Sequence, residues 1–356
     1  AFKCLGSTVE RIPIAPLAQP FDPKPGDVIT DAVESAWTVL EKVLGKARQT
    51  HKLVCRNLAL VYGLFALIAP PSFTTVGTLE TIARQAAIVG TASLGMTAVI
   101  IAGGIDLSVG SVVALSTVVI AALLQAGQGP VTAALGGVLA GVASGLVNGW
   151  LVTRLRMVPF IVTLGTLLIV RGAAKGLANE QKIDAPITGL NDVLAAVPPE
   201  RSWQILPAGV WGMLILAVLV ILLLRRTAFG RHVFAIGGNE EAARLSGIDV
   251  DAVKVWVYVL GGACGGLAGL LQFSRLTVGD PTVASGLELD VIAAVVIGGG
   301  SLSGGEGSVL GSVLGALVMT TIRCGCSQMG LANWIQEIVT GLIIVAAVAL
   351  DRLRRR

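Results

Sequence analysis

Residues 302–306 read Leu-Ser-Gly-Gly-Glu, a sequence that raises the question of nucleotide chemistry. The segment differs by one residue from L-S-G-G-Q, with which one class of ATPases contacts the γ-phosphate of ATP. Nucleotide binding would also require a phosphate loop of the form G-x-x-x-x-G-K-[ST], and the sequence contains none. Apolar runs long enough for membrane spans flank the segment on both sides. We therefore expect that this chain does not bind ATP.

Other side chains that could support catalysis or metal binding are sparse. The two histidines, His51 and His232, lie beside basic residues, so a histidine-dependent triad or a histidine-rich metal site is not expected. The five cysteines are scattered, and Cys324 and Cys326 lack the spacing of redox or metal motifs. We expect no catalytic residue, no cofactor, no metal and no nucleic-acid partner.

The composition is that of a membrane protein. Hydrophobic residues make up 54% of the chain and charged residues only 13%, against roughly 25% charged residues in soluble domains. The 45 glycines suit helices that pack closely in lipid, where small residues let backbones approach each other. This balance excludes a soluble nucleotide-binding domain.

The distribution of charge predicts many membrane-spanning helices. No charged residue lies between Asp106 and Arg154, and this stretch must fold back because about 20 apolar residues suffice to cross a bilayer. We predict an all-α polytopic membrane protein of about ten transmembrane helices, with glycine-broken spans. The predicted spans are residues 54–70, 81–102, 108–126, 131–153, 158–177, 207–224, 254–273, 287–299, 308–323 and 334–350.

Basic residues near the span ends predict the orientation. Lys and Arg cluster at residues 46–56, 154–156 and 225–244, and the sequence DRLRRR closes the chain. Such clusters favour the cytoplasmic side of the membrane. Residues 178–201 contain few bases and are rich in Pro and Asn, so we expect them to face outward. Both termini are therefore predicted to be cytoplasmic.

The first fifty residues differ from the rest of the chain. A proline-rich stretch is followed by Val28–Lys46, which has the pattern of a short amphipathic helix on or near the cytoplasmic face. The region lacks the uninterrupted apolar core of a secretory signal. We expect a cytoplasmic N-terminal extension at residues 1–50 and a transmembrane domain at residues 51–356.

Several polar residues lie within apolar surroundings. An ionised Asp106 well inside a bilayer would cost about 2.5–3.5 kcal/mol, so its surroundings must compensate. Asp106 or Ser108 can cap the helix that begins near Val109, and Asp106 can also line a polar pathway. The other polar residues can line the same pathway or bond to neighbouring helices. The pathway candidates are Asp106, Ser108, Asn148, Thr163, Thr166 and Gln272.

Two glycine-rich segments, residues 98–113 and 294–310, follow the same pattern. Each has an apolar run, a glycine cluster, a short polar stretch with one acid, and then Gly-Ser-Val. An internal repeat would place two broken helices at a binding region, as in many transporters. Chance similarity between two glycine-rich hairpins is the alternative.

Three long segments carry a family resemblance. They read GGIDLSVGSVVAL, GRHVFAIGGNEEAARLSGIDV and GLELDVIAAVVIGGGSLSGGEGSVLGSVLGAL. In this order they resemble the membrane permease of bacterial ABC importers for ribose, xylose and related sugars, and the similarity extends from about residue 55 to the C-terminus. That family has a G-G-x-G-S element where GGEGS lies, so the resemblance implies that Leu302–Glu306 is a family loop and not a nucleotide site.

The resemblance implies a transport subunit of the bacterial inner (plasma) membrane and not an enzyme. Such a permease receives a monosaccharide from a periplasmic sugar-binding protein and passes it to the cytoplasm by alternating access. Cytoplasmic ABC ATPase subunits drive the cycle. A second copy of the permease, most simply a homodimer, completes the membrane part.

Residues 229–251 form the only sizeable predicted cytoplasmic loop between spans, and we expect a two-turn helix within it. Asn239 suits the N-cap, acids suit the first turn, and Gly247 can end the helix. The Glu-Ala-Ala sequence resembles the EAA loop through which importer permeases seat a coupling helix in the ATPase, although the later I-x-L-P of that pattern is absent. A solvated helix between spans is the alternative. The predicted ATPase-coupling residues are Asn239, Glu240, Glu241, Ala242, Ala243, Leu245 and Gly247, with Ala242, Ala243 and Leu245 forming a small apolar face.

An ion-coupled secondary transporter of a small polar solute is the alternative function. Such a protein buries several ionisable residues near the membrane midplane. Here we expect only Asp106, with Arg171 and Glu337 toward span ends. A purely structural membrane anchor would not need glycine-broken spans.

Overall fold

The computed structural model describes residues 52–196 and 206–354. The N-terminal extension, with its expected amphipathic helix at residues 28–46, lies outside this part. The described chain is mostly helical. Its helices are residues 52–68 (α1), Val76–Ile101 (α2), Val109–Gln125 (α3), Pro130–Arg154 (α4), Pro159–Leu177 (α5), Ala208–Arg226 (α6), Ala228–Gly238 (α7), Glu240–Leu245 (α8), Val250–Leu276 (α9), Leu287–Ile297 (α10), Val309–Gln328 (α11) and Asn333–Arg354 (α12).

The helices support a polytopic membrane protein. Within the described residues, six are long and apolar enough to cross a membrane, namely α2, α4, α5, α6, α9 and α11. Helix α3 and the first part of α12 are apolar but shorter. Each of the ten predicted spans coincides with a helix. The helical, membrane-spanning fold is therefore confirmed, whereas ten crossings and the orientation of the termini stay predictions.

Glycine lets α4 and α9 pack backbone to backbone. Gly141, Gly145 and Gly149 repeat every four residues along α4 and lie against α9. On α9, Gly262 and Gly266 lie against the backbone of α4. A methyl group at any of these positions would overlap backbone atoms of the opposite helix. This is the close approach that small residues permit between membrane helices.

Helices α2 and α10 end with the same backbone motif. Residues 102–104 donate backbone hydrogen bonds to carbonyls of residues 98–100, and residues 298–300 make the same three bonds with residues 294–296. Gly103 and Gly299 have the left-handed conformation, with φ of 80° and 93°, which is how glycine commonly ends a helix. The same three-bond pattern also ends α3, α5, α8 and α11, so it does not distinguish an internal repeat from chance similarity.

The two strands connect two loops that are far apart in the sequence. Strand β1, Ile183–Asp184, pairs antiparallel with β2, Val278–Gly279. Lys182 forms an ion pair with Asp280 at 3.2 Å beside this pairing. The loop after α5 is therefore attached to the loop that precedes α10.

Candidate functional site

The predicted coupling helix forms as α8, with the expected caps. The Asn239 side chain accepts a hydrogen bond from the backbone N–H of Ala242 at 2.9 Å. Gly247 ends the turn with a φ of 84°, a conformation that costs other residues more than glycine. At six residues the helix is shorter than the two turns predicted.

The predicted apolar face of α8 is wrong. Ala243 is 4% exposed and packs into the core, whereas Leu245 is 90% exposed and Ala242 also faces solvent. Residues two positions apart in a helix point about 200° away from each other, so Ala243 and Leu245 cannot share a face. Helix α8 instead buries Ala243, and its exposed surface carries Glu241 and Leu245.

A chain of ion pairs attaches α8 to the start of α9. Lys254 contacts Glu240 at 2.6 Å, and Arg244 contacts Asp251 at 3.0 Å and Glu240 at 3.6 Å. The hydrogen bond and charge of Asp251 raise the pKa of Arg244 above its ordinary value. Exposed pairs of this kind contribute little stability, and together they connect α8 to the start of α9. Sequence reasoning did not identify Lys254 or Asp251, because their partners lie on another helix.

The predicted coupling loop, residues 229–251, meets the end of α2 and the glycine-rich loop after α10 at Gly237. The backbone N–H of Gly305 donates to the carbonyl of Ile101 at 2.9 Å. Gly237 lies against both groups, so that a methyl group there would overlap the Ile101 oxygen and the Gly305 nitrogen. Gly304 in turn lies against the Gly237 carbonyl and Gly103. The end of α7, the end of α2 and the loop after α10 thus meet through backbone atoms.

This junction accounts for the Leu302–Glu306 sequence. Gly304 and Gly305 have φ of 83° and 73°, and both contact the end of α7. The glycines allow a tight turn and close backbone contact with α7.

A pocket of about 310 Å³ opens beside the junction. It lies between α8, α9 and the end of α2. Its polar lining includes Asn239, Glu240, Lys254, Tyr258 and Ser303. The pocket therefore brings part of the predicted coupling set together with residues that the sequence did not associate with it.

Asp106, Ser108 and Asn148 form a buried polar cluster at the break between α2 and α3. Asp106 Oδ1 accepts hydrogen bonds from the backbone N–H and hydroxyl of Ser108 at 2.8 and 2.6 Å. Asn148 Nδ2 donates to the Ser108 hydroxyl at 2.9 Å. The predicted capping is only partly right: Ser108 holds the N-cap position, but its side chain bonds to Asp106 and Asn148 and does not cap α3.

The other pathway candidates lie farther from this cluster. Thr163 donates to the Ile105 carbonyl at 3.1 Å and so attaches α5 to the break. Thr166 donates to the Thr163 carbonyl. Gln272 is buried on α9, about 16 Å along the helix from Gly261, which lies beside Asp106. All six candidates are buried in a single copy of the chain, and their role in a pathway stays a prediction.

The expectation about ionisable residues was incomplete. Asp290 on α10 is 3% exposed and forms an ion pair with Arg323 on α11, with Nε to Oδ2 at 2.8 Å. Arg323 Nη2 also donates to Asp290 Oδ1 at 2.8 Å. The two acids Glu288 and Asp290 at the start of the apolar run from Leu287 to Ile297 were a signal that could have revealed it. The described residues contain no group of His, Cys, Asp or Glu that could hold a metal ion.

Comparison with known proteins identifies the family. Residues 78–348 match the family described as "Branched-chain amino acid transport system / permease component". The chain belongs to this family. It is a multi-pass permease subunit of an ABC importer and not an enzyme.

Curated relatives resemble the permease over most of its length. The ribose import permease protein RbsC of Bacillus subtilis (strain 168) is 41% identical, over 84% of this chain and 94% of its own. RbsC of Escherichia coli (strain K12) is 35% identical over the same shares. The L-arabinose ABC transporter permease protein AraH of Azospirillum brasilense is 37% identical over 82% of this chain and 85% of its own. No solved structure matches the permease.

Proposed function

We propose that the permease carries a monosaccharide, with ribose the first candidate, from a periplasmic sugar-binding protein to the cytoplasm. Relatives named for ribose, allose and arabinose support a sugar as the solute. ATP is hydrolysed in separate cytoplasmic ABC subunits. The observation that carries the mechanism is the backbone junction at Gly237, because it connects the coupling loop to both helix breaks.

We further propose ten membrane crossings, with both termini in the cytoplasm of a bacterial inner (plasma) membrane. Residues 51–356 form the permease domain, and residues 1–50 form a cytoplasmic extension. The agreement between ten helices and ten predicted spans supports this topology. A second copy of the chain completes the transporter as a homodimer.

Coupling proceeds through α8. Glu241 and Leu245 face away from the bundle and are available to a cytoplasmic ATPase. A displacement of α8 reaches α9 through Glu240 and Lys254, and it reaches the break after α2 through Gly237. Such rigid contacts suit the transmission of a rigid-body movement.

The polar cluster has a defined part in this proposal. The cluster of Asp106, Ser108 and Asn148 keeps the start of α3 in place while the junction at Gly237 moves. Thr163 attaches α5 to Ile105, in the loop between α2 and α3. These residues, with Thr166 and Gln272, lie along the route that opens when the helices separate.

Reconstitution tests the function. The permease is placed in liposomes with its ATPase and binding-protein partners, and uptake of radiolabelled D-ribose is measured with and without internal ATP. We expect uptake only with ATP, the binding protein and the ATPase present. ATP-independent uptake that an ionophore abolishes would instead support the ion-coupled alternative.

A further inference from the structure

The connection between α9 and α10 enters the bundle without helical structure. Gly279 packs against Ala121 near the outer end of α3, whereas the Ala284 carbonyl lies against Gly110 at the start of α3. Ala121 and Gly110 are about 16 Å apart along that helix. Residues 280–286 therefore follow α3 inward for much of its length, and α10 begins only at Leu287.

Specific bonds hold this connection in place. Arg171 on α5 donates to the carbonyls of Pro281 and Val283 at 3.0 and 2.6 Å. Asp280 accepts from the backbone N–H and the hydroxyl of Thr282 at 2.8 and 2.6 Å. Ala284 has a φ of 60°, which is uncommon for a residue other than glycine and is typical of functional sites. The connection is thus an ordered part of the bundle.

Part of this connection is exposed on the surface of a single copy. Thr282 and Ser285 are exposed, and Leu289 on the first turn of α10 is 46% exposed. Hydrocarbon cannot satisfy the backbone groups of a non-helical segment, so such segments occur at membrane depth only against protein or water. This face of the permease therefore does not contact lipid.

A second observation on α10 leads to the same conclusion. Asp290 is paired with Arg323, whose side chain is 37% exposed. A partly exposed guanidinium is costly against hydrocarbon, and charged residues in membrane helices usually face a bundle interior or a water-filled cavity. By contrast, α5 is a regular helix, and its exposed residues Leu164 and Leu168 suit contact with lipid.

We infer that residues 281–286 line the aqueous translocation pathway and offer the Ser285 and Thr282 hydroxyls to a neutral polyhydroxylated solute. Ser285 donates to the Thr282 carbonyl at 3.0 Å, and Thr282 donates to Asp280, so both hydroxyl oxygens can still accept hydrogen bonds from the solute. The identity of the solute rests on the proposed function, whereas the aqueous character of the face does not.

Single cysteines test the inference in the complete transporter. In a background without native cysteines, Ser285→Cys, Leu289→Cys and the matched control Leu168→Cys are exposed to a charged methanethiosulfonate reagent. Because the thiolate is the reactive form and requires water, we expect Ser285→Cys to react at least about tenfold faster than Leu168→Cys. Modification at position 285 should abolish D-ribose uptake.

The outcomes separate this inference from the proposed function. Reaction of Ser285→Cys and Leu289→Cys as slow as that of Leu168→Cys would overturn the aqueous face. Rapid reaction at position 285 with unchanged uptake would overturn its place in the pathway. If the transporter with its native cysteines imports no sugar, the proposed function fails, but the labelling rates still decide whether the face contacts water.

Discussion

Replacing Gly237 by alanine should weaken the junction between the coupling loop and the helix breaks. The added methyl group would overlap the Ile101 carbonyl and the Gly305 N–H, which are hydrogen-bonded to each other. Separation of this pair costs about 1–3 kcal/mol, and overpacking costs about 1–3 kcal/mol. Alanine regains about 1 kcal/mol over glycine in a helix. We therefore expect a net loss of about 1–5 kcal/mol from these terms.

Gly238 provides a matched control beside it. No atom lies within 4 Å of a methyl group placed at Gly238, so Gly238→Ala should be neutral or slightly stabilising. For both variants, the unfolding temperature of the purified permease and the ATP-driven uptake of D-ribose are measured. We expect Gly237→Ala to unfold at a lower temperature and to lose uptake, with Gly238→Ala close to the native chain. Equal behaviour of the two variants would refute the role of the junction.

Three further predictions concern coupling, nucleotide chemistry and topology. Glu241→Lys should insert at normal levels yet lose sugar uptake and binding-protein-stimulated ATP hydrolysis, because it reverses a charge on the outer surface of α8; normal uptake would place the coupling contact elsewhere. Ser303→Ala should leave the nucleotide affinity of the complex unchanged, and photolabelling of the isolated permease by an ATP analogue would contradict the expected absence of a nucleotide site. Gly305→Val should lower the yield of folded permease, because the backbone φ of Gly305 is 73°. Single cysteines replacing the exposed residues Asp192 and Ser246 should react from opposite sides of intact cells, and labelling from the same side would exclude the proposed topology.

Local rules were sufficient to predict much of the fold. Largely apolar runs predicted ten of the described helices, because the length of an apolar stretch reflects the thickness of the bilayer, but they did not predict α7. The caps at Asn239 and Gly247 followed from side-chain and backbone preferences that involve only neighbouring residues. The error within α8 was also local, because helix periodicity alone places Ala243 and Leu245 about 200° apart.

Contacts between distant segments could not be predicted in the same way. The junction of Gly237 with Ile101 and Gly305 joins residues far apart in sequence, and glycine gives no indication of its partner. The course of residues 280–286 depends on Arg171, which attracted attention only as an ionisable residue near a span end. Long-range packing decides both features.

The ion pair between buried Asp290 and partly exposed Arg323 bears on how transport is driven. An acid that carries an ion must gain and lose a positive partner in each cycle, whereas an arginine remains charged throughout. Asp290 is held by two contacts of 2.8 Å to that permanent charge. The pair therefore suits the attachment of α10 to α11 better than ion transport. On its other side, α10 is positioned by Glu288 and Ala284 against Gly110 of α3. Movement of α10 must thus involve α3 and α11 together.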